Sequence, residues 1–167
     1  MSDGRVDLYY TFVTANKSID CLGNQDRLHP WLLRPFMKRG EPMDIRDYLT
    51  RINYYGSRQP TLQTLQALHH AHLLAVPFEN LSIHYRQPII LQEDLLFNKI
   101  VRQHRGGFCY ELNGLFAWLL RQLGFQMSLL SASVSNGTDQ FSPEFDHLTV
   151  LIHQLSGANW LADVGFG

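Results

Sequence analysis

The stretch that decides the fold is His104-Arg105-Gly106-Gly107-Phe108-Cys109-Tyr110-Glu111, with the apolar residues that follow it. Those residues recur at three- and four-residue steps, which predicts a helix, and they are Leu112, Leu115, Phe116, Leu119, Leu120 and Leu123. Gly124 predicts the end of this helix, because a residue without Cβ adopts the left-handed conformation cheaply. The glycine pair predicts a loop that leads into the helix, so Cys109 falls in its first turn.

A cysteine in the first turn of a helix has the surroundings of a nucleophile. The first backbone N–H groups lack partners inside the helix, and the helix dipole is positive there. Arg105 adds a positive charge nearby. Both effects favour the thiolate, and the same N–H groups could stabilise an oxyanion. Most cysteines in apolar helices are inert core residues, so catalysis by Cys109 requires a base from elsewhere in the chain.

Composition narrows the class of protein. The 167 residues are 45% hydrophobic and 17% charged, which predicts a folded core. A net charge of −1 argues against a nucleic-acid-binding protein. No apolar run approaches the roughly 18 residues that cross a membrane, and the acidic start lacks the features of a signal peptide. Two cysteines, Cys21 and Cys109, form no disulfide framework, so we expect a reducing, cytoplasmic location.

The pattern along the chain predicts three segments. Prolines and glycines interrupt residues 1–42, which we interpret as an irregular extension, with Met43 as an alternative start. We expect residues 43–124 to form a helical domain, in which Asp44 caps a first helix and a second helix begins near Thr61. In the second of these we expect Leu62, Leu65, Leu68 and Ala71–Leu74 to face inward. A third helix spans residues 93–102.

Residues 125–167 form a small antiparallel portion that supplies a base. Alternating apolar residues predict strands over residues 127–134, 146–153 and 160–164. A hairpin centred on Leu155 places His147 directly opposite Asp163, and a shift of one residue would place it opposite Val164 instead. In the first register the carboxylate can fix the imidazole tautomer, leaving the other ring nitrogen to accept a thiol proton. The alternative is an ordinary polar cross-strand pair.

The remaining histidines and Cys21 predict no further site. His69, His70 and His72 share one helix, but the sequence places no cysteine or carboxylate beside them to complete a metal site. We therefore expect a solvated or helix-packing face and no metal.

Four blocks in order resemble the arylamine N-acetyltransferases: Val76–Leu81, Arg105–Cys109, His147 and Asp163–Gly167. The resemblance covers residues 43–167 and implies that Cys109 carries the acyl thioester while His147 and Asp163 complete a catalytic triad. It implies a ping-pong reaction in which acetyl-CoA acetylates the cysteine and an arylamine, hydrazine or hydroxylamine accepts the acetyl group. It implies neither a metal nor a nucleic-acid or membrane partner.

The resemblance also implies an α+β fold with a cysteine-protease-like triad. A helical bundle carrying the cysteine precedes an antiparallel β-barrel, and an α/β lid follows. It further implies a buried Glu79–Arg105 pair that braces the thiol loop, which is the Gly106–Gly107 loop before Cys109. Phe108, Asp146 and Gly165 are expected in the substrate and oxyanion region. Residues 1–42 have no counterpart in the pattern, and the chain ends just after Asp163, so we expect the lid and the remaining barrel strands to be missing.

Two other functions fit the same residues. One is a cysteine hydrolase or transglutaminase-like enzyme with the same triad. In the hydrolase, water rather than an amine would release the acyl group from the cysteine. The other is a catalytically silent, truncated protein whose helical half binds or regulates a partner. Acceptor preference, the activity of so short a chain and the oligomeric state are not predicted.

Overall fold

The computed structural model describes residues 15–18, 42–135, 137 and 140–166 of the chain. The described helices are α1 (Ile45–Arg51), α2 (Leu62–Ala75), α3 (Leu81–His84), α4 (Glu93–Phe97), a π-helical segment (Asn98–Arg102) and α5 (Cys109–Gln122). The described strands are β1 (Ala15–Ser18), β2 (Met127–Ala132), β3 (His147–Leu155) and β4 (Ala158–Ala162). They form one antiparallel sheet in the order β1-β2-β3-β4, so the predicted α+β class is confirmed.

The extension and its cysteine fall largely outside the described residues. Within residues 1–42, strand β1 pairs with β2, a contact that the sequence did not predict, and Pro42 leads into α1. Cys21 lies outside the described residues. Among the helices described, none is both long and apolar enough to cross a membrane.

The predicted helix starts are confirmed. Asp44 accepts a hydrogen bond from the Arg46 N–H at 2.8 Å, and Thr61 accepts one from the Thr64 N–H at 3.2 Å. Each side chain satisfies a backbone donor that has no partner inside the helix. At its other end α2 stops at Ala75, since Pro77 disfavours helical geometry at the residue before it.

Helix α5 lies at the centre of the core, packed against α1, α4 and strands β2 and β3. Five of its predicted apolar residues are fully buried: Leu112, Leu115, Phe116, Leu119 and Leu120. The expectation for the end of α2 is wrong, because Leu73 and Leu74 are 47% and 76% exposed. Leu65, Leu68 and His72, which belong to the predicted inward set, are buried and share one side of the helix by their three- and four-residue spacing.

The third predicted helix spans the expected residues with a change of geometry. It is α-helical to Phe97 and then widens into a π-helical turn, in which Ile100 and Val101 are buried. The short helix α3 was not predicted.

The predicted hairpin register is wrong by two residues. Ser156 and Gly157 form a tight turn in which both have positive φ, as primed hairpin turns require. Leu155 therefore pairs with Ala158, and after an irregularity Val150 pairs with Ala162. A shift of two keeps each side chain on its predicted face. Asp163 lies just beyond β4, so sheet hydrogen bonds do not fix its position.

Candidate active site

The thiol loop is held against the segment that follows α2. Gly106 must be glycine, because a Cβ there would lie 2.0 Å from the carbonyl oxygen of Pro77. At the next residue of the loop, the Gly107 carbonyl accepts a hydrogen bond from the Glu79 N–H at 2.9 Å. Two motifs far apart in sequence therefore lie side by side. Cys109 follows as the first residue of α5 and is buried.

The structure brings together the three residues predicted to form a triad. His147 lies at the start of β3, where its Nε2 hydrogen-bonds to the Asp163 carboxylate. The Cys109 side chain interacts with the same imidazole and is among the causes that raise the pKa of His147. Because Nε2 faces Asp163, Nδ1 is the ring nitrogen left for the thiol. The His147 side chain is only 5% exposed.

The electrostatics favour a protonated imidazole beside the sulfur. Burial alone would lower the pKa of His147, but hydrogen bonds to Asp163 and Cys109 outweigh burial and raise the pKa to about 9. Burial likewise tends to raise the pKa of Asp163, yet hydrogen bonds from His147 and Asn113 bring it below its usual value. An ionised carboxylate can therefore support an imidazolium that has taken the thiol proton.

Asn113, which the sequence analysis missed, holds Asp163 in place. Its Nδ2 donates to Asp163 Oδ1 at 2.8 Å and to the Leu148 carbonyl at 2.7 Å, while its Oδ1 accepts the Val164 N–H at 2.9 Å. Its side chain therefore ties α5 to β3 and to the segment after β4. The available signal was position, because a residue four after Cys109 shares its helix face.

A partly buried charge network supports the thiol loop, and it includes the predicted Glu79–Arg105 pair, in which the Arg105 side chain is 33% exposed. Arg105 Nη2 lies 2.8 Å from Glu79 Oε1, an ion pair whose angles fall outside hydrogen-bond geometry. Lys99, also missed from sequence, hydrogen-bonds both carboxylate oxygens of Glu111 at 2.8 and 2.7 Å and lies 3.5 Å from Glu79. Glu111 in turn accepts the Phe108 N–H at 3.2 Å, so the network reaches the residue before Cys109.

The other predicted site residues lie around the triad in different ways. A Cβ on Gly165 would lie 2.7 Å from Cys109 Cα, so the backbone at Gly165 packs directly against Cys109. Phe108 is the N-cap of α5, and its ring contacts Tyr110 with centroids 5.9 Å apart. Asp146 is exposed. Phe166 was not predicted as a site residue, and its ring lies edge-on to that of His147 with the ring centroids 5.3 Å apart.

The α2 histidines form no metal site with other residues in the described part of the chain. No group there of three or more His, Cys, Asp or Glu could hold a metal ion. His72 is fully buried and its Nδ1 lies 2.9 Å from the Tyr48 hydroxyl, whereas His70 is exposed. His69 Nε2 lies 2.8 Å from the Asp163 carbonyl oxygen.

Known proteins are similar to this chain in sequence and in fold. The sequence model of the N-acetyltransferase family matches residues 61–167. A chicken (Gallus gallus) arylamine N-acetyltransferase, the pineal gland isozyme NAT-3, is 43% identical over 129 residues, which are 75% of this chain and 43% of the relative. The chain belongs to the arylamine N-acetyltransferase family.

Solved structures of the family have the same fold over the matched part. The arylamine N-acetyltransferase from Salmonella typhimurium is 39% identical with a TM-score of 0.67, covering 74% of this chain and 44% of that one. The Mycobacterium marinum arylamine N-acetyltransferase in complex with CoA is 36% identical with a TM-score of 0.66, covering 74% and 47%. The chain thus spans less than half the length of these arylamine N-acetyltransferases.

Proposed function

We propose that this chain carries the acyl-transfer centre of an arylamine N-acetyltransferase, with Cys109 as nucleophile, His147 as general base and acid, and Asp163 as the residue that orients the imidazole. The observation that supports it most is the hydrogen bond between His147 and the Asp163 carboxylate, next to the Cys109 side chain that helps to raise the pKa of the imidazole. Family membership makes acetyl transfer the preferred chemistry for this arrangement.

In the first half-reaction, the Cys109 thiolate attacks the acetyl carbonyl of acetyl-CoA, with its former proton held on His147. A tetrahedral oxyanion forms beside the first turn of α5, where backbone N–H groups and the helix dipole can stabilise it. The Phe108 N–H is already engaged by Glu111, so stabilisation falls to the N–H groups after it. The bond to the coenzyme sulfur breaks, and His147 returns the proton to that sulfur.

In the second half-reaction, an amine or hydrazine nitrogen attacks the acetyl-cysteine. His147 accepts the proton that the nitrogen loses, the carbon–sulfur bond breaks and the Cys109 thiolate is restored. Phe166 sets its ring edge-on to the imidazole of His147, and an aromatic side chain at this place suits an aromatic acceptor.

The resemblance extends the proposal to architecture. We propose that residues 43–124 act as the helical domain of the family and that the sheet is the part of its β-barrel carried by residues 125–167. In the longer family proteins, the lid and the remaining strands would complete the pockets for acetyl-CoA and the acceptor. A reactive thiol suits a reducing compartment, so the cytoplasm is the proposed location.

The test uses the full chain with acetyl-CoA, first without and then with an aniline or arylhydrazine acceptor. We expect one acetyl group on the peptide that contains Cys109, release of free coenzyme A thiol, and loss of the label when the acceptor is added. Cys109→Ala should abolish all three signals, whereas Cys21→Ala should leave them intact. Acetylation that only water removes would favour the hydrolase alternative, and no acetylation at Cys109 would favour the silent protein.

A further inference from the structure

Asp163 needs support that the sheet does not provide. Strand β4 ends at Ala162, whose carbonyl accepts a hydrogen bond from Thr149 Oγ1 at 3.2 Å. The next residue is Asp163, whose own carbonyl lies beyond the strand ladder. A partly buried carbonyl without a donor is costly, and a segment outside the ladder is free to rotate. The direction of the Asp163 carboxylate therefore depends on contacts from other elements.

The donor to that carbonyl comes from helix α2. His69 Nε2 lies 2.8 Å from the Asp163 oxygen, and because a carbonyl only accepts, the proton must be on Nε2. The His69 ring is itself positioned by an edge-on contact with Phe116, which is fully buried in α5. The imidazole is thus fixed by core packing at one side and by the backbone of Asp163 at the other.

We propose that His69 is a positioning residue of the triad, which holds the Asp163 backbone where β4 ends and thereby aims the carboxylate at His147. This inference rests on the proposed function. Asn113 and the Gly165 N–H contact Asp163 Oδ1, at 2.8 and 3.0 Å, and so fix the side chain. His69 holds the Asp163 carbonyl, and Asn113 Oδ1 accepts the Val164 N–H of the same peptide unit at 2.9 Å, so the two side chains hold this part of the main chain from its two sides.

Loss of the His69 contact should change how tightly the His147 imidazole holds its proton, and not only the reactivity of the Cys109 sulfur. The Asp163 hydrogen bond helps to keep a proton on His147. If the Asp163 backbone relaxes, that bond lengthens and the imidazole binds its proton less tightly. A residue with only a structural role would change the stability of the protein without changing the titration of His147.

The experiment compares His69→Leu, His69→Gln and the control His70→Leu in the full chain. His70 is exposed on the same helix, so the control carries the same substitution away from Asp163. We expect His69→Leu to lower the NMR titration midpoint of His147 by about one pH unit and to slow iodoacetamide labelling of Cys109 at neutral pH several-fold. His69→Gln keeps an N–H donor and should restore most of both, and His70→Leu should match the wild type.

An unchanged His147 midpoint in folded His69→Leu would overturn the inference. If that variant does not fold, the nitrogen chemical shifts of His69 in the wild type decide, since a neutral ring with its proton on Nδ1 would exclude the proposed hydrogen bond. These readouts require no acetyl transfer. A wild-type chain that fails to take an acetyl group therefore counts against the proposed function, and not against the role of His69.

Discussion

Lys99 provides the sharpest test of the buried network behind the thiol loop. Its side chain is 14% exposed and contacts Glu111, which is 6% exposed, so Lys99→Met leaves a buried carboxylate without its cation. Removing one partner of a buried ion pair costs about 3–5 kcal/mol. Because the Phe108 N–H still donates to Glu111 and Arg105 still neutralises Glu79, we expect the lower end, about 3 kcal/mol.

The assay is equilibrium urea unfolding, followed by circular dichroism, with an exposed ion pair as matched control. Arg121 and Glu93 form a pair whose side chains are 50% and 43% exposed, so Arg121→Met should cost about 0.5 kcal/mol or less. A loss of about 3 kcal/mol corresponds to a fall in Tm of roughly 6–12 °C for a chain of this size. The double variant Lys99→Met with Glu111→Leu should lose less than the two single losses added together.

Equal losses for Lys99→Met and Arg121→Met would refute this reasoning. So would full additivity in the double variant, because it would mean that the lysine and the glutamate do not interact.

The remaining predictions concern pH and close packing. Burial lowers the pKa of His72 to about 3, so the unfolded chain binds a proton below about pH 6.5 that the folded chain does not; between pH 7 and pH 5 the wild type should therefore lose about 2 kcal/mol more unfolding free energy than His72→Leu. Unfolding curves at both pH values measure this, and a difference that does not vary with pH would contradict it. Gly165→Ala would place a Cβ 2.7 Å from Cys109 Cα, so we expect a loss of about 1–3 kcal/mol and slower thiol labelling. Gly114→Ala, whose Cβ meets nothing closer than 3.7 Å, should instead stabilise α5 by up to about 1 kcal/mol, and similar effects for both glycines would refute the packing argument.

Local signals in the sequence predicted the local parts of the fold. Asp44 caps α1 as expected, because a capping side chain contacts a residue only two or three positions away, and α2 begins next to Thr61 as predicted. The inward face of α2 was predicted less well, since Leu73 and Leu74 are apolar and yet exposed. Composition alone does not tell which side of a helix meets the core.

The pairing register of strands β3 and β4 could not be predicted from the sequence. The hairpin register depends on a tight turn at Ser156 and Gly157 and on an irregularity further along the strand, and neither follows from alternation of apolar residues. His147 and Asp163 still meet, because an error of two residues preserves the face of the strand.

The supporting residues of the site escaped for the same reason. Asn113 and Lys99 have their partners in other segments of the chain. Lys99 contacts Glu111, 12 residues away, and Asn113 contacts Asp163, 50 residues away. Helical spacing from Cys109 could have marked Asn113, but no pattern within α2 connects His69 with Asp163, 94 residues later.

The proposed mechanism requires that His147 activates the Cys109 thiol, and the alkylation rate of that thiol measures the activation directly. Iodoacetamide should label Cys109 at neutral pH at least about tenfold faster than Cys21. In both His147→Ala and Asp163→Asn the Cys109 rate should fall to that of an ordinary cysteine, while the Cys21 rate stays unchanged. A Cys109 rate that matches Cys21 in the wild type, or that survives His147→Ala, would contradict the account.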